Sequence, residues 1–105
     1  MARCYVTDAD GVTYLDPDGA QQRDILREFF DDPAAIGDIW LVNTASGWGL
    51  NVFPSGLIQL ERPGHPLCEA GPVTFSDVFQ LWQQLGKGEI ERIRSLPWRQ
   101  PAAGE

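Results

Sequence analysis

The chain has 105 residues, a formal net charge of −7 at pH 7 and 43% hydrophobic residues. This length suits one domain, and the ordinary hydrophobic content excludes a disordered chain and predicts a modest core. The acidity argues against direct binding to nucleic acid or to an anionic membrane, because both would repel the protein.

Two short β-prone runs at the start of the chain are predicted to form a hairpin. They cover residues 4–7 and 12–15, and the Asp10-Gly11 pair between them is a strong hairpin-turn signal. The next four residues, 16–19, predict a tight turn in which the final glycine is free to take a positive φ.

A first helix is expected over about residues 20–31. Its apolar residues recur at helical spacing, and Gln22 is assigned to the opposite, solvent-facing side. The inward residues are Ile25, Leu26, Phe29 and Phe30.

The middle of the chain is predicted to form a three-stranded antiparallel meander. Its β-prone runs are residues 38–44, 48–53 and 57–62, and the turns between them are too short for parallel crossovers. Trp40 alternates with its neighbours in the first run and is expected in the core. Residues 63–72 contain several prolines and glycines and are predicted to be a loop.

The last third of the chain is predicted to be helical. Thr74 is a good N-cap, and Asp77 occupies the reciprocal position of a capping box. A periodic apolar pattern then continues to Gly86, and a shorter helix is expected over about residues 88–95.

These elements predict an α+β fold. Its antiparallel sheet would combine the N-terminal hairpin with the three-stranded meander, and two to three helices would pack on one face. Residues 1–99 would form this single domain, and residues 100–105 would form a flexible C-terminal tail.

The candidate metal and catalytic motifs of the chain lack the residue types or spacing that such sites need. The tetrapeptides that begin at Asp8 and Asp16 lack the register of a calcium loop, and one histidine with two distant cysteines does not make a zinc site. His65 and Cys68 could pair as base and nucleophile, but the neighbouring Glu69 disfavours a thiolate. The sequence therefore predicts no metal, no cofactor and no catalytic residue, hence a protein that is not an enzyme.

A cytoplasmic location is expected. The first eleven residues lack the apolar centre of a signal peptide, and the apolar runs fall far short of the ~20 residues that a membrane-spanning helix needs.

Acidic residues are concentrated in the first half of the chain. Residues 1–52 contain nine acids and three bases, whereas the rest contains six acids and five bases. This asymmetry fits a solubilising surface or the footprint of a basic partner, and both readings stay open. Trp48, beside a glycine-rich turn, could cap the core or anchor a partner. The candidate partner-binding residues are Asp24, Glu28, Asp31, Asp32, Asp38 and Trp48.

A family resemblance extends over about residues 37–98. It is carried by Asp38 to Val42, by Gly49 to Phe53 with Ile58 to Leu60, and by the helix ending at Gly86 with Pro97-Trp98 after it. In these stretches the chain resembles the immunity proteins of bacterial polymorphic toxin systems, especially the family paired with deaminase-type toxins.

The resemblance implies a protein that binds one cognate toxin in the producing cell and blocks its active site or substrate access. A toxin that acts on nucleic acid would be basic, and an acidic inhibitor is complementary to it. The alternative from a different class is a small regulatory module that binds a small-molecule ligand between sheet and helices.

Overall fold

The computed structural model describes residues 3–100. Its strands and helices follow the chain as β1 (Cys4–Thr7), β2 (Thr13–Leu15), α1 (Gly19–Asp31), β3 (Ile39–Asn43), β4 (Gly49–Val52), β5 (Ile58–Glu61), β6 (Cys68–Ala70), α2 (Phe75–Gly86) and α3 (Ile90–Arg94). The predicted α+β fold is confirmed. None of the helices in this part of the chain combines the length and the apolar composition needed to cross a membrane.

The sheet has six antiparallel strands in the order β2-β1-β3-β4-β5-β6. The predicted hairpin and the predicted meander are joined where β1 pairs with β3. The prediction of a loop over residues 63–72 is wrong, because β6 lies within it and pairs with β5. Strand β6 has only three residues, which are too few to show an alternating apolar pattern among the surrounding prolines and glycines.

Alternation along the strands separates a helix-covered face from a helix-free face. Val6, Leu41 and Leu50 lie opposite one another across β1, β3 and β4 and are fully buried under the helices. Trp82, on the inner side of α2, is also fully buried. Apolar side chains therefore fill the centre of the space between sheet and helices, where the sequence analysis had placed a possible ligand.

The turn before α1 differs from its prediction. Gly19 is the first residue of the helix, and the positive φ of 48° falls at Asp16. The Asp16 carboxylate accepts hydrogen bonds from the backbone N–H groups of Arg3, at 2.6 Å, and Cys4, at 3.1 Å. Asp18 is the N-cap, since its side chain accepts from the backbone N–H of Gln21.

The solvent-facing assignment of Gln22 is also wrong, because this residue exposes only 5% of its surface. Its Nε2 donates to the Pro17 carbonyl at 2.9 Å, and its Oε1 accepts from Gln83 Nε2 at 2.8 Å. These bonds tie α1 to the turn before it and to α2, and they satisfy the buried amide.

The predicted capping box of α2 is confirmed. Thr74 Oγ1 accepts from the Asp77 backbone N–H, and Asp77 Oδ2 accepts from the Thr74 backbone N–H, both at 3.2 Å. The reciprocal pair satisfies two donors at the start of the helix.

The end of the described chain packs back on the domain. Trp98 Nε1 donates to the Ile93 carbonyl at 2.7 Å, and Arg99 forms an isolated antiparallel bridge with Glu69 of β6. Residues 101–105 of the predicted tail lie outside the described residues, as do Met1 and Ala2.

Candidate functional site

A cleft of about 260 Å³ lies between the β1–β2 turn, α1 and the start of β3. Its apolar wall includes Ile25, Phe29 and Ile39. Four carboxylates also line it, namely Asp8, Asp10, Glu28 and Asp32. We call this site the acidic cleft.

The β1–β2 turn positions Asp8 rigidly. Its Oδ1 accepts from the backbone N–H groups of Asp10 and Val12, both at 3.0 Å, and its Oδ2 accepts from the Tyr14 hydroxyl at 3.1 Å. Gly11 takes a φ of 83° in the same turn. The tetrapeptide from Asp8 to Gly11 is therefore used for turn formation.

The Tyr14 phenol lies in the negative field of the cleft carboxylates. The pKa of this phenol is raised, first because its hydroxyl donates to Asp8, then because of burial and the negative charges of Asp8, Glu28 and Asp10. A negative potential disfavours the phenolate and attracts cations.

Helix α1 presents an acidic stripe beside the cleft. Asp24, Glu28 and Asp31 follow one another at helical spacing and are exposed. Asp32, just after the helix, accepts from the Ala34 backbone N–H at 2.9 Å. Arg27 is directed toward α2, where its guanidinium carbon lies 4.7 Å from the centre of the Phe75 ring.

The other two candidate residues lie elsewhere. Asp38 is half-buried and accepts from Asn51 Nδ2 at 2.9 Å on the helix-free face. Trp48 exposes only 6% of its surface and belongs to the core. The structure thus brings Glu28 and Asp32 together, places Asp24 and Asp31 next to them, and separates Asp38 and Trp48 from this group.

Asp8, Asp10 and Val12 also line the cleft, but the sequence did not predict them as partner-binding residues. Asp8 and Asp10 were interpreted only as turn residues, and Val12 only as a strand residue. Val12 is 48% exposed and supplies an apolar contact at the rim. The strand-flanked Asp10-Gly11 signal located this turn, but nothing in the local sequence indicated that it faces α1.

Trp48 is enclosed by basic side chains. The guanidinium carbons of Arg62 and Arg94 each lie 5.5 Å from its ring centre, and the His65 ring lies 4.9 Å away. We call these four residues the tryptophan corner. These distances are in the range of cation–π attraction.

The helix-free face carries a concavity of about 580 Å³, with Tyr5 and Trp40 among its walls. Trp40 is half-buried there, so its predicted core position is wrong. Strand alternation explains this, since the neighbouring Ile39 and Leu41 face the helices. A Cβ added to Gly49 would lie 3.2 Å from Val42 Cγ2, so this glycine helps to keep the concavity open.

The residues considered for catalysis have other partners. The His65 ring packs against Trp48 at a tilt of 53°, and Cys68 Sγ donates to the Pro66 carbonyl at 3.7 Å. Cys4 and Cys68 are both free. In residues 3–100, no group of three or more His, Cys, Asp or Glu side chains is placed to hold a metal ion.

The fold and the cleft together define an acidic α+β domain with an anionic groove beside one edge of its sheet. Comparison with protein-family models, curated proteins and solved structures finds no match to this chain.

Proposed function

We propose that this protein is a cytoplasmic immunity protein that binds a cognate bacterial toxin and neutralises it without catalysis. A nucleic-acid-targeting deaminase is the kind of toxin that the sequence resemblance suggests. The observation that carries the proposal is the acidic cleft, because it joins four carboxylates to an exposed apolar residue, Val12.

The charge distribution favours a basic partner. The carboxylates of Glu28 and Asp32 share the cleft with those of Asp8 and Asp10, and the acidic stripe of α1 extends the anionic surface. Such a surface accelerates encounter with a basic protein. Proteins that process nucleic acid carry basic surfaces at the site where the substrate binds, so occupying that surface blocks substrate access.

The proposed contact surface consists of the acidic cleft, Asp24 and Asp31, whereas Asp38 lies apart from it on the helix-free face. Val12 would supply an apolar contact beside the carboxylates. The role suggested for Trp48 stays a prediction, and only 6% of its surface is open to a partner.

The test is co-purification and association kinetics with the toxin encoded beside this protein's gene. We expect the double variant Glu28→Lys/Asp32→Lys to associate roughly tenfold more slowly at low salt, with a smaller difference at high salt, because steering by charge is screened. Stopped-flow fluorescence measures both rates.

The matched control is Glu61→Lys/Glu91→Lys, which makes the same change in net charge at two exposed residues outside the cleft. Equal slowing by both double variants would show a general effect of net charge and would remove the cleft from the proposal. Failure of the toxin to co-purify with the unaltered protein would contradict the immunity function itself.

The concavity on the helix-free face favours the second candidate function, a small regulatory module. It offers aromatic walls, Tyr5 and Trp40, and a volume of about 580 Å³, which lies in the range of small-molecule sites. A metabolite that raises the melting temperature of the protein, but not that of Gly49→Val, would support this function.

A further inference from the structure

The two edge strands of the sheet differ in whether a further segment of the chain pairs with them. At the β6 edge, the Glu69 N–H donates to the Arg99 carbonyl at 2.8 Å, and the Arg99 N–H donates to the Glu69 carbonyl at 2.9 Å. At the other edge, β2 pairs only with β1 within the described part of the chain. The β2 edge is therefore the open one.

The register identifies which backbone groups of β2 point outward. Asp16 N–H donates to the Cys4 carbonyl and Asp8 N–H to the Val12 carbonyl, both at 2.9 Å. Hydrogen-bonded pairs alternate in an antiparallel ladder, so the N–H and C=O groups of Thr13 and Leu15 face away from β1. These outward backbone groups can hydrogen-bond to another strand that lies along β2.

The side chains of this edge differ between the two faces of the sheet. Leu15 is 70% exposed and lies on the helix-free side, whereas Val12 lies on the cleft side. Asp10 and Glu28 supply negative charge on the cleft side. A strand laid along β2 would thus meet an apolar residue on one face and carboxylates on the other.

We propose that β2 accepts an extended basic segment of the partner as a seventh, antiparallel strand. The segment would alternate apolar residues, beside Leu15, with lysine or arginine residues, beside the acidic cleft. This proposal rests on the binding role proposed above and specifies how the partner is recognised. A second copy of the chain fits less well, because it would bring another set of carboxylates against Asp8 and Asp10.

The probe is a ten-residue peptide of alternating lysine and valine, with a glutamate–valine peptide as its counterpart. We expect the lysine peptide to bind the full chain and to slow hydrogen exchange of the Thr13 and Leu15 amides about tenfold, as new backbone hydrogen bonds protect them. Amide-resolved NMR measures this protection without any substitution.

Two variants at Thr13 distinguish the contribution of its backbone N–H from that of its side chain. Thr13→Pro removes the outward N–H and is tolerable at an edge strand, whereas Thr13→Val keeps that N–H. Both lose the 3.0 Å contact between the Thr7 and Thr13 hydroxyls. We expect Thr13→Pro to weaken peptide binding roughly fivefold to tenfold relative to Thr13→Val, the loss of about one backbone hydrogen bond.

Several results would overturn strand addition. They are absence of binding by the lysine peptide, equal binding of the glutamate peptide, binding without protection at Thr13 and Leu15, or equal affinities of the two variants. Dimerisation of the protein alone with protection of the same amides would assign the edge to a second copy instead. Toxin binding that depends on Glu28 and Asp32 but not on the Thr13 N–H would overturn strand addition and leave the proposed function standing.

Discussion

The acidic cleft and the tryptophan corner lie toward opposite ends of β3 and use charge in different ways. Ile39 at one end lines the cleft, while the Asn43 N–H at the other end donates to the Trp48 carbonyl. In the corner, two guanidinium groups and an imidazole pack on one indole. In the cleft, carboxylates crowd around a phenol whose pKa they raise.

This difference suggests that the tryptophan corner contributes to stability and the acidic cleft to binding. Cationic groups on the face of a buried indole contribute to folding, because they are attracted to its ring and cover its apolar surface. Carboxylates placed close together repel one another and contribute little to folding. We therefore expect substitutions in the corner to change stability and substitutions of solvent-facing acids in the cleft to change binding.

The largest effect is expected from Trp48→Ala. Removing an almost fully buried indole should lower the free energy of unfolding by about 3 to 5 kcal/mol, because a cavity remains in the core. Trp40→Ala is the control, since this indole is half-exposed on the helix-free face. Urea denaturation followed by far-UV circular dichroism measures both. Similar losses for the two variants would refute the structural role of the corner.

A smaller effect is expected from Arg94→Ala. Its guanidinium lies 5.5 Å from the Trp48 ring centre, and loss of one exposed cation–π contact should cost about 0.5 to 1 kcal/mol. Arg92→Ala on the same helix is the matched control, because it removes the same charge away from the indole contacts of Arg62 and Arg94. If both variants lose equal stability, helix propensity and net charge explain the effect and the contact does not.

The smallest effect is expected at Asp16, an acid that is used for structure beside the binding region. Its pKa is lowered below the ordinary 3.8, chiefly because its carboxylate accepts the N–H groups of Cys4 and Arg3. A lowered pKa means stability that is present above the ordinary value and is lost as the pH falls through the folded value. Asparagine can keep the acceptor and the positive φ but removes the charge.

The measurement is thermal unfolding of Asp16→Asn and of its control Asp10→Asn between neutral pH and pH 2. The deficit of Asp16→Asn against the unaltered protein should be present at neutral pH and should vanish once Asp16 is protonated. Asp10→Asn should show a smaller deficit or none, because the structure gives its carboxylate no comparable pair of backbone donors. A pH-independent deficit at Asp16 would contradict the charge-based explanation.

Local signals in the sequence were sufficient for the helices and the main strands. The capping residues Thr74 and Asp77, the apolar period of α2 and the Asp10-Gly11 turn act within a few residues of one another, so spacing alone predicts them. The same holds for the antiparallel meander, because its short turns exclude crossovers. The excess of acidic residues in the first half of the chain was likewise visible in the sequence.

The tertiary structure decided which of those residues meet. Gln22 is buried because α1 packs against α2, where Gln83, 61 residues away in sequence, donates to its side chain. Asp8 and Asp10 face Glu28 only because β1 pairs with β3 and α1 packs beside the hairpin. The sequence alone determined an acidic α+β chain and the approximate position of every helix and strand except β6. Tertiary packing brought the residues of the cleft together and left β2 as an open edge strand. Local spacing does not predict this, because the pairing of distant segments depends on the energy of the whole core.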